Sequence, residues 1–167
     1  MTDTRPALTV RKSLIVDAPC ARAFAVFTTG FDSWWPRAHH IGKAELLAAV
    51  IEPRAGGRWF EKGVDGSECE WGKVLVYEPP SRVVLSWHLN GRWEYDPDPS
   101  HASEVDVRFT PDGPSRTRVE FEHRHIERSV AAEQLRAGVD SPGGWTGLLE
   151  MFAARVKESA VLNDRAR

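Results

Sequence analysis

Two histidines two positions apart, His123 and His125, and seven tryptophans are the side chains here best suited to chemistry. The run Arg118-Val119-Glu120-Phe121-Glu122-His123-Arg124-His125 alternates apolar and charged residues, which predicts a strand with one wet face. Both histidines then share the face of Val119 and Phe121 and point inward, where an imidazole must find a partner. Three roles suit such a pair: a satisfied structural histidine, a polar anchor or proton carrier for a bound molecule, or metal ligands. Metal is the weakest of these, because zinc takes three or four ligands and no third one shows recognisable spacing. His125 lies nearer the strand's end and should be the one to reach water. As a general base, either could serve a cavity enzyme of the cyclase or dehydratase type.

So many indoles need a large core or a lined pocket to hold them. Trp71, Trp87, Phe109, Phe121 and Trp145 are candidates for the space between a sheet and a helix, with Leu149 on the helix side. Trp35 and Trp59 are placed to close its ends. A filled core and a partly open apolar pocket both fit this composition. The pocket would take a small apolar or amphipathic ligand, with His123 and either Arg58 or Tyr77 as a polar contact. His39-His40, beside two tryptophans, reads as solvated loop, with a mouth-lining role as the alternative.

Other chemistries lack their signatures. There is no G-x-S-x-G nucleophile motif and no phosphate-binding glycine motif; Gly56-Gly57 and Gly143-Gly144 suit a turn and a close helix approach. Glu45, Glu61, Glu68 and Glu70 flank predicted strand ends, and Asp106 and Glu120 fall on the wet face, so no carboxylate pair stands out. Cys20 and Cys69 are too few for a disulfide framework or a zinc site and read as two buried thiols of a reducing cytoplasm. The expectation is no metal and no cofactor. Twenty-two basic against twenty-four acidic residues leave a net charge of −2 without a basic block, which argues against nucleic acid. No apolar run approaches the roughly 18 residues of a membrane span, and Met1–Pro6 has no signal-peptide core.

The elements that position these residues come from periodicity. Trp145, Leu148, Leu149, Phe152 and Val156 form one stripe on a helix predicted from Ser141, its N-cap, to about Leu162. Strands are predicted over Ala7–Val16, Ala44–Glu52, Arg58–Lys62, Glu68–Tyr77, Arg82–Leu89, Glu104–Phe109 and Arg118–His125. Gly72, inside one of them, predicts a bulge or sharp bend. A short helix over Cys20–Thr28 and a helical turn over Phe31–Pro36 follow the first strand, and another short helix falls near Ser129–Arg136. Asn90–Ser100 is a polar loop. One 167-residue α+β domain results, with 1–6 and 163–167 as frayed tails, and its long amphipathic helix must lie across the sheet.

This order resembles the START-like, or SRPBCC, helix-grip superfamily. Local runs are similar to its branch related to the activator of the ninety-kilodalton heat-shock protein's ATPase. They are Trp34-Trp35-Pro36, the Glu52–Trp59 turn, Asp65-Gly66-Ser67, Trp71-Gly72-Lys73-Val74, Glu78–Trp87 and Gly143–Leu149. Together they span about Lys12 to Arg155. The resemblance implies a curved antiparallel sheet of six or seven strands gripping the last helix. It also implies binding of lipids, hormones or polyketides, cyclase activity in a few members, or a chaperone partner and a role in stress response. The protein is expected to be cytoplasmic, a monomer or a homodimer, the latter through an exposed sheet edge. The long Asn90–Ser100 loop departs from the pattern and could reshape one mouth of the cavity.

Overall fold

A computed structural model describes residues 7–165, and side chains through residue 159. Seven strands form one antiparallel sheet: β1 (Val10–Val16), β2 (Leu46–Ile51), β3 (Arg58–Gly63), β4 (Glu68–Glu78), β5 (Arg82–Trp87), β6 (Ser103–Pro111) and β7 (Thr117–Arg124). Their order across the sheet is β1-β7-β6-β5-β4-β3-β2, so β1 and β2 are its two edges. Helix α1 (Cys20–Phe27) and a 3-10 turn at Phe31–Ser33 carry the chain from one edge toward the other. Helix α2 (Ala132–Val139) and a single π-helical turn at Pro142–Thr146 lead into α3 (Gly147–Arg165), which lies in the concave face. This is the expected helix-grip architecture.

The alternation read in β6 and β7 decides which face is buried. Val105, Val107, Phe109, Val119 and Phe121 are 0–3% exposed and face Leu148, Leu149, Phe152 and Val156 of α3 across one core. Phe152 ties the layers together, its ring 5.3 Å from Phe27 of α1 and 5.5 Å from Trp34. On the outer face, Asp106 is nearly covered, contrary to its expected wet position. Arg82 and Arg124 reach over it from β5 and β7, at 2.9 Å and 2.7 Å. Burial alone would raise its pKa, but these two guanidinium bonds outweigh burial and hold it below the usual carboxylate range.

Several boundaries differ from expectation. β1 begins at Val10, and the helix placed near Ser129–Arg136 lies at Ala132–Val139. The last helix is not continuous from Ser141: Gly144 takes a non-helical conformation (φ −92°, ψ −139°), and Ser141 donates to Gly138 O instead of capping α3. The two glycines explain the break. A Cβ on Gly144 would stand 2.3 Å from Val139 O, and one on Gly147 2.4 Å from Pro142 O, so the chain folds back more tightly than a side chain allows. The helix runs on through Arg165, beyond the expected end near Leu162. The tail placed at residues 1–6 lies outside the described residues. Cys20 and Cys69 are half-buried thiols, not fully buried ones.

The edge strand β2 has part of its outer backbone occupied. Ala49 N donates to Asp32 Oδ1 at 2.9 Å, and Arg37 donates to Leu47 O at 2.8 Å. An added strand would need those groups, so this edge is guarded against pairing.

Gly72 sits where the register shifts between β3 and β4, and a Cβ there would fall 1.7 Å from Ser86 O on β5. Only glycine permits this approach. Gly72→Ala is expected to lower the unfolding free energy by about 3 kcal/mol, read as a lower urea midpoint with an unchanged slope.

Candidate indole-walled site

One end of the space between sheet and α3 is hollow, with a volume of about 440 Å³. Its walls are the indoles of Trp35, Trp71, Trp87, Trp93 and Trp145. Leu89, Val139 and Leu148 fill between them, and the loop Ala38–Ile41 and the turn Gly143–Gly144 form the rim. The rings touch in sequence: Trp71 to Trp35 at 5.3 Å, Trp35 to Trp145 at 6.3 Å, Trp145 to Trp87 at 5.7 Å, and Trp87 to Trp93 at 6.5 Å between centroids. Such tilted and edge-to-face contacts are the favoured aromatic geometries.

Four of these indoles are pinned by hydrogen bonds. Trp35 Nε1 donates to His39 O (2.8 Å), Trp71 Nε1 to Glu61 Oε1 (2.9 Å), Trp87 Nε1 to Leu89 O (2.9 Å), and Trp145 Nε1 to His123 Nδ1 (3.1 Å). Each N–H is thereby spent on the protein, and the walls offer the cavity carbon surface. No Lys, Arg, Asp or Glu lines it among the described residues; His39 and His40 are its titratable groups. His39 Nε2 lies 3.0 Å from Gly143 O, joining the two sides of the rim.

The sequence-derived candidates divide into lining and support. Trp35, Trp71, Trp87 and Trp145 line the void. Trp59, Phe121 and His123 stand behind them: Trp59 is 5.6 Å from Trp71 and 5.5 Å from Trp87, and Phe121 is 4.4 Å from Trp145. Trp59 Nε1 has no hydrogen-bond partner among the described residues, and the rings around it meet it edge to face. Phe109 packs farther along, 5.3 Å from Phe24 and 6.0 Å from Phe27, and Leu149 lies in the core. Neither Arg58 nor Tyr77 reaches the cavity. Arg58 binds Glu68 and Glu70 and covers the Phe60 ring, and Tyr77 packs on Phe24.

The two histidines of the H-x-H pair separate. His123 is fully buried, accepts from Trp145 at Nδ1 and lies 2.8 Å from Ser103 Oγ through Nε2. That pattern assigns the neutral tautomer with its proton on Nε2. Burial pushes its pKa down to about 3. His125 does not share the inner face, because the strand ends at Arg124 and His125 turns into the left-handed region (φ 61°). Its ring is 38% exposed, with Nδ1 3.7 Å from Glu127.

Glu61 is also relocated. It is not a strand-end carboxylate but a buried one, accepting from Trp71 Nε1, from Ile41 N (2.7 Å) and from Gly42 N (3.2 Å). Trp93, absent from the expected set, comes from the Asn90–Ser100 loop. Its available signal was an indole just after Asn90-Gly91, a dipeptide that favours tight turns. A second hollow, about 550 Å³ on the outer sheet face, is lined chiefly by paired charges such as Arg11–Glu122 and Arg124–Asp106.

The model of the Activator of Hsp90 ATPase homolog 1-like protein family matches residues 17–157. An anthrahydroquino-gamma-pyrone synthase, solved in complex with a molecule designated SUM, is 38% identical to the chain. The match covers 88% of this chain and 96% of the synthase, with a TM-score of 0.63. The self-sacrificing resistance protein CalC from Micromonospora echinospora is 35% identical over 91% of this chain and 96% of its own, with a TM-score of 0.69. CalU16 from the same organism, 22% identical over 90% of this chain and 73% of its own, shares the fold with a TM-score of 0.54. No curated protein matches the sequence significantly.

Because the folded His123 binds its proton only near pH 3 and an unfolded histidine near 6.5, unfolding takes up a proton between those values. The stability tied to the neutral ring is complete above about pH 6.5 and is lost progressively as pH falls toward 3. The His123 ring resonances are expected to show no titration from pH 8 to 5. His123→Gln should flatten the fall of unfolding free energy with acid by about one proton.

Proposed function

The chain belongs to the Activator of Hsp90 ATPase homolog 1-like family, and on that premise we propose that it binds a small, largely uncharged planar molecule in the indole-walled cavity. The carrying observation is a void of about 440 Å³ walled by five indoles, four of which have their N–H groups bonded to the protein. This volume lies within the roughly 300–1,000 Å³ of small-molecule sites. Flat aromatic surface is best matched by flat aromatic ligand, through stacking and burial. One relative above 30% identity supports this choice, a synthase whose name describes a fused-ring pyrone product. Pinned walls lose little freedom on binding, which favours affinity. The half-buried free thiols suit a reducing cytoplasm as the place of action.

A catalytic role is the second reading, favoured by the 38% identity to a synthase and by two histidines at the cavity rim. In that reading His39 or His40 exchanges protons with the ligand. His123 does not, since both its nitrogens are engaged behind Trp145. A chaperone-cofactor role is suggested by the family description alone; the cavity favours the ligand reading.

1,8-Dihydroxyanthraquinone serves as a planar probe. It is expected to quench the indole fluorescence saturably at one site, with a micromolar dissociation constant. Ala38→Trp, on the exposed part of the rim, should plug the mouth and weaken binding at least about tenfold. Absence of saturable binding, or an unchanged constant in Ala38→Trp, would overturn the reading.

A further inference from the structure

Trp93 differs from every other indole of the cavity. It is 46% exposed, while Trp35, Trp71, Trp87 and Trp145 are at most 6% exposed. Its backbone stands at φ 61°, a region that a bulky residue rarely enters. Such conformations persist where the surroundings over-determine them, and they cluster at ligand clamps. Here the surroundings do so. The Asn90 side-chain carbonyl accepts from Arg92 N (2.9 Å) and Glu94 N (3.2 Å), and Trp93 N donates to Asn90 O (3.0 Å). Leu89 pairs with Tyr95 below, closing the loop as a tight hairpin.

The opposite wall is shaped to receive the ring. A Cβ on Gly138 of α2 would stand 2.9 Å from Trp93 Cζ2, so glycine there lets the indole lie over the helix. Gly91 meets α2's leading turn just as closely: its N–H donates to Val130 O (2.9 Å), and a Cβ there would fall 2.0 Å from Ala131 O. Ala131 too has positive φ, 56°. Strained backbone on both sides of this contact and two glycines without room for a side chain thus hold one large, half-exposed apolar ring at the rim. Nothing in the core requires that expense.

We propose that Trp93 is the clamp of the cavity, covering the outer face of a bound planar molecule and setting how long it stays. This rests on the cavity being the ligand site. The bound molecule would lie against the cavity side of the Trp93 ring, which meets the inner wall edge to face at Trp87. Closing over it would bury indole surface that the free protein leaves in water, a gain available only in the complex.

Stopped-flow release of 1,8-dihydroxyanthraquinone tests the proposal. Trp93→Ala should speed dissociation about tenfold, with association changed less than about twofold. Trp93→Phe, which keeps a ring over Gly138, should restore most of the slow release. Gly138→Ala, whose methyl would push the indole off α2, should also speed release. If Trp93→Ala and Gly138→Ala release the probe at the wild-type rate while Ala38→Trp still blocks it, the clamp is overturned and the cavity reading stands. If wild-type protein does not bind the probe, or Ala38→Trp changes nothing, both fail together.

Discussion

A buried indole N–H without an acceptor is costly, and the acceptors found by the four buried indoles that line the cavity organise this end of the molecule; Trp59, behind them, is the exception. Each acceptor comes from a different element. Glu61 on β3 serves Trp71 on β4, Leu89 beyond β5 serves Trp87, the loop carbonyl of His39 serves Trp35, and His123 on β7 serves Trp145 before α3. The sheet, the rim loop and the final helical segment are thus stitched together through ring nitrogens. Glu61 is the extreme case. A buried carboxylate would be costly alone, but it accepts three N–H groups and fixes Trp71 and the Ile41-Gly42 backbone with one side chain. Because every partner is spoken for, the rings cannot collapse inward to fill the space without abandoning a bond. The void persists for that reason.

The same logic explains the broken start of the last helix. A regular helix from Ser141 would hold the Gly143 carbonyl in its own ladder. With Gly144 out of helical conformation, that carbonyl instead meets His39 across the rim. Trp145 keeps its place against Phe121 and His123. The Gly143-Gly144 pair therefore contributes to the cavity's shape and to its rim, at some cost to helix regularity.

Periodicity made the architecture legible. Alternation in β6 and β7 and the stripe from Trp145 to Val156 each have one physical solution, a buried face, and those faces meet in the core. Four of the five cavity indoles were also readable as inward residues. What periodicity could not show was where packing stops. Phe109 and Trp87 are both read as facing the space between sheet and helix, yet Phe109 is met by rings from α1 while Trp87 borders the void. That difference lies in which distant residues arrive opposite, and it has no local signature. His125 failed for a different reason: alternation assumes the strand continues, and the chain left it at Arg124. Asp106 and Glu61 failed because a carboxylate reads as solvated until its partners are known, and those partners come from other strands and loops.

Charge is divided between the two faces of the sheet in a way that bears on selectivity. The outer face carries the network around Asp106, where Arg82, Arg108 and Arg124 converge on one carboxylate and Glu104 and Glu122 balance them. The concave face sends no charged side chain into the cavity among the described residues. An ionic ligand would shed its hydration on entry with no counter-charge to replace it, a penalty that grows as the walls exclude water. A neutral planar molecule meets no such barrier, and a weakly acidic or basic group is tolerated only beside His39 and His40, where the rim meets solvent. On the proposed reading, selection against charge follows from the walls, and a polar edge of the ligand would point toward the rim histidines.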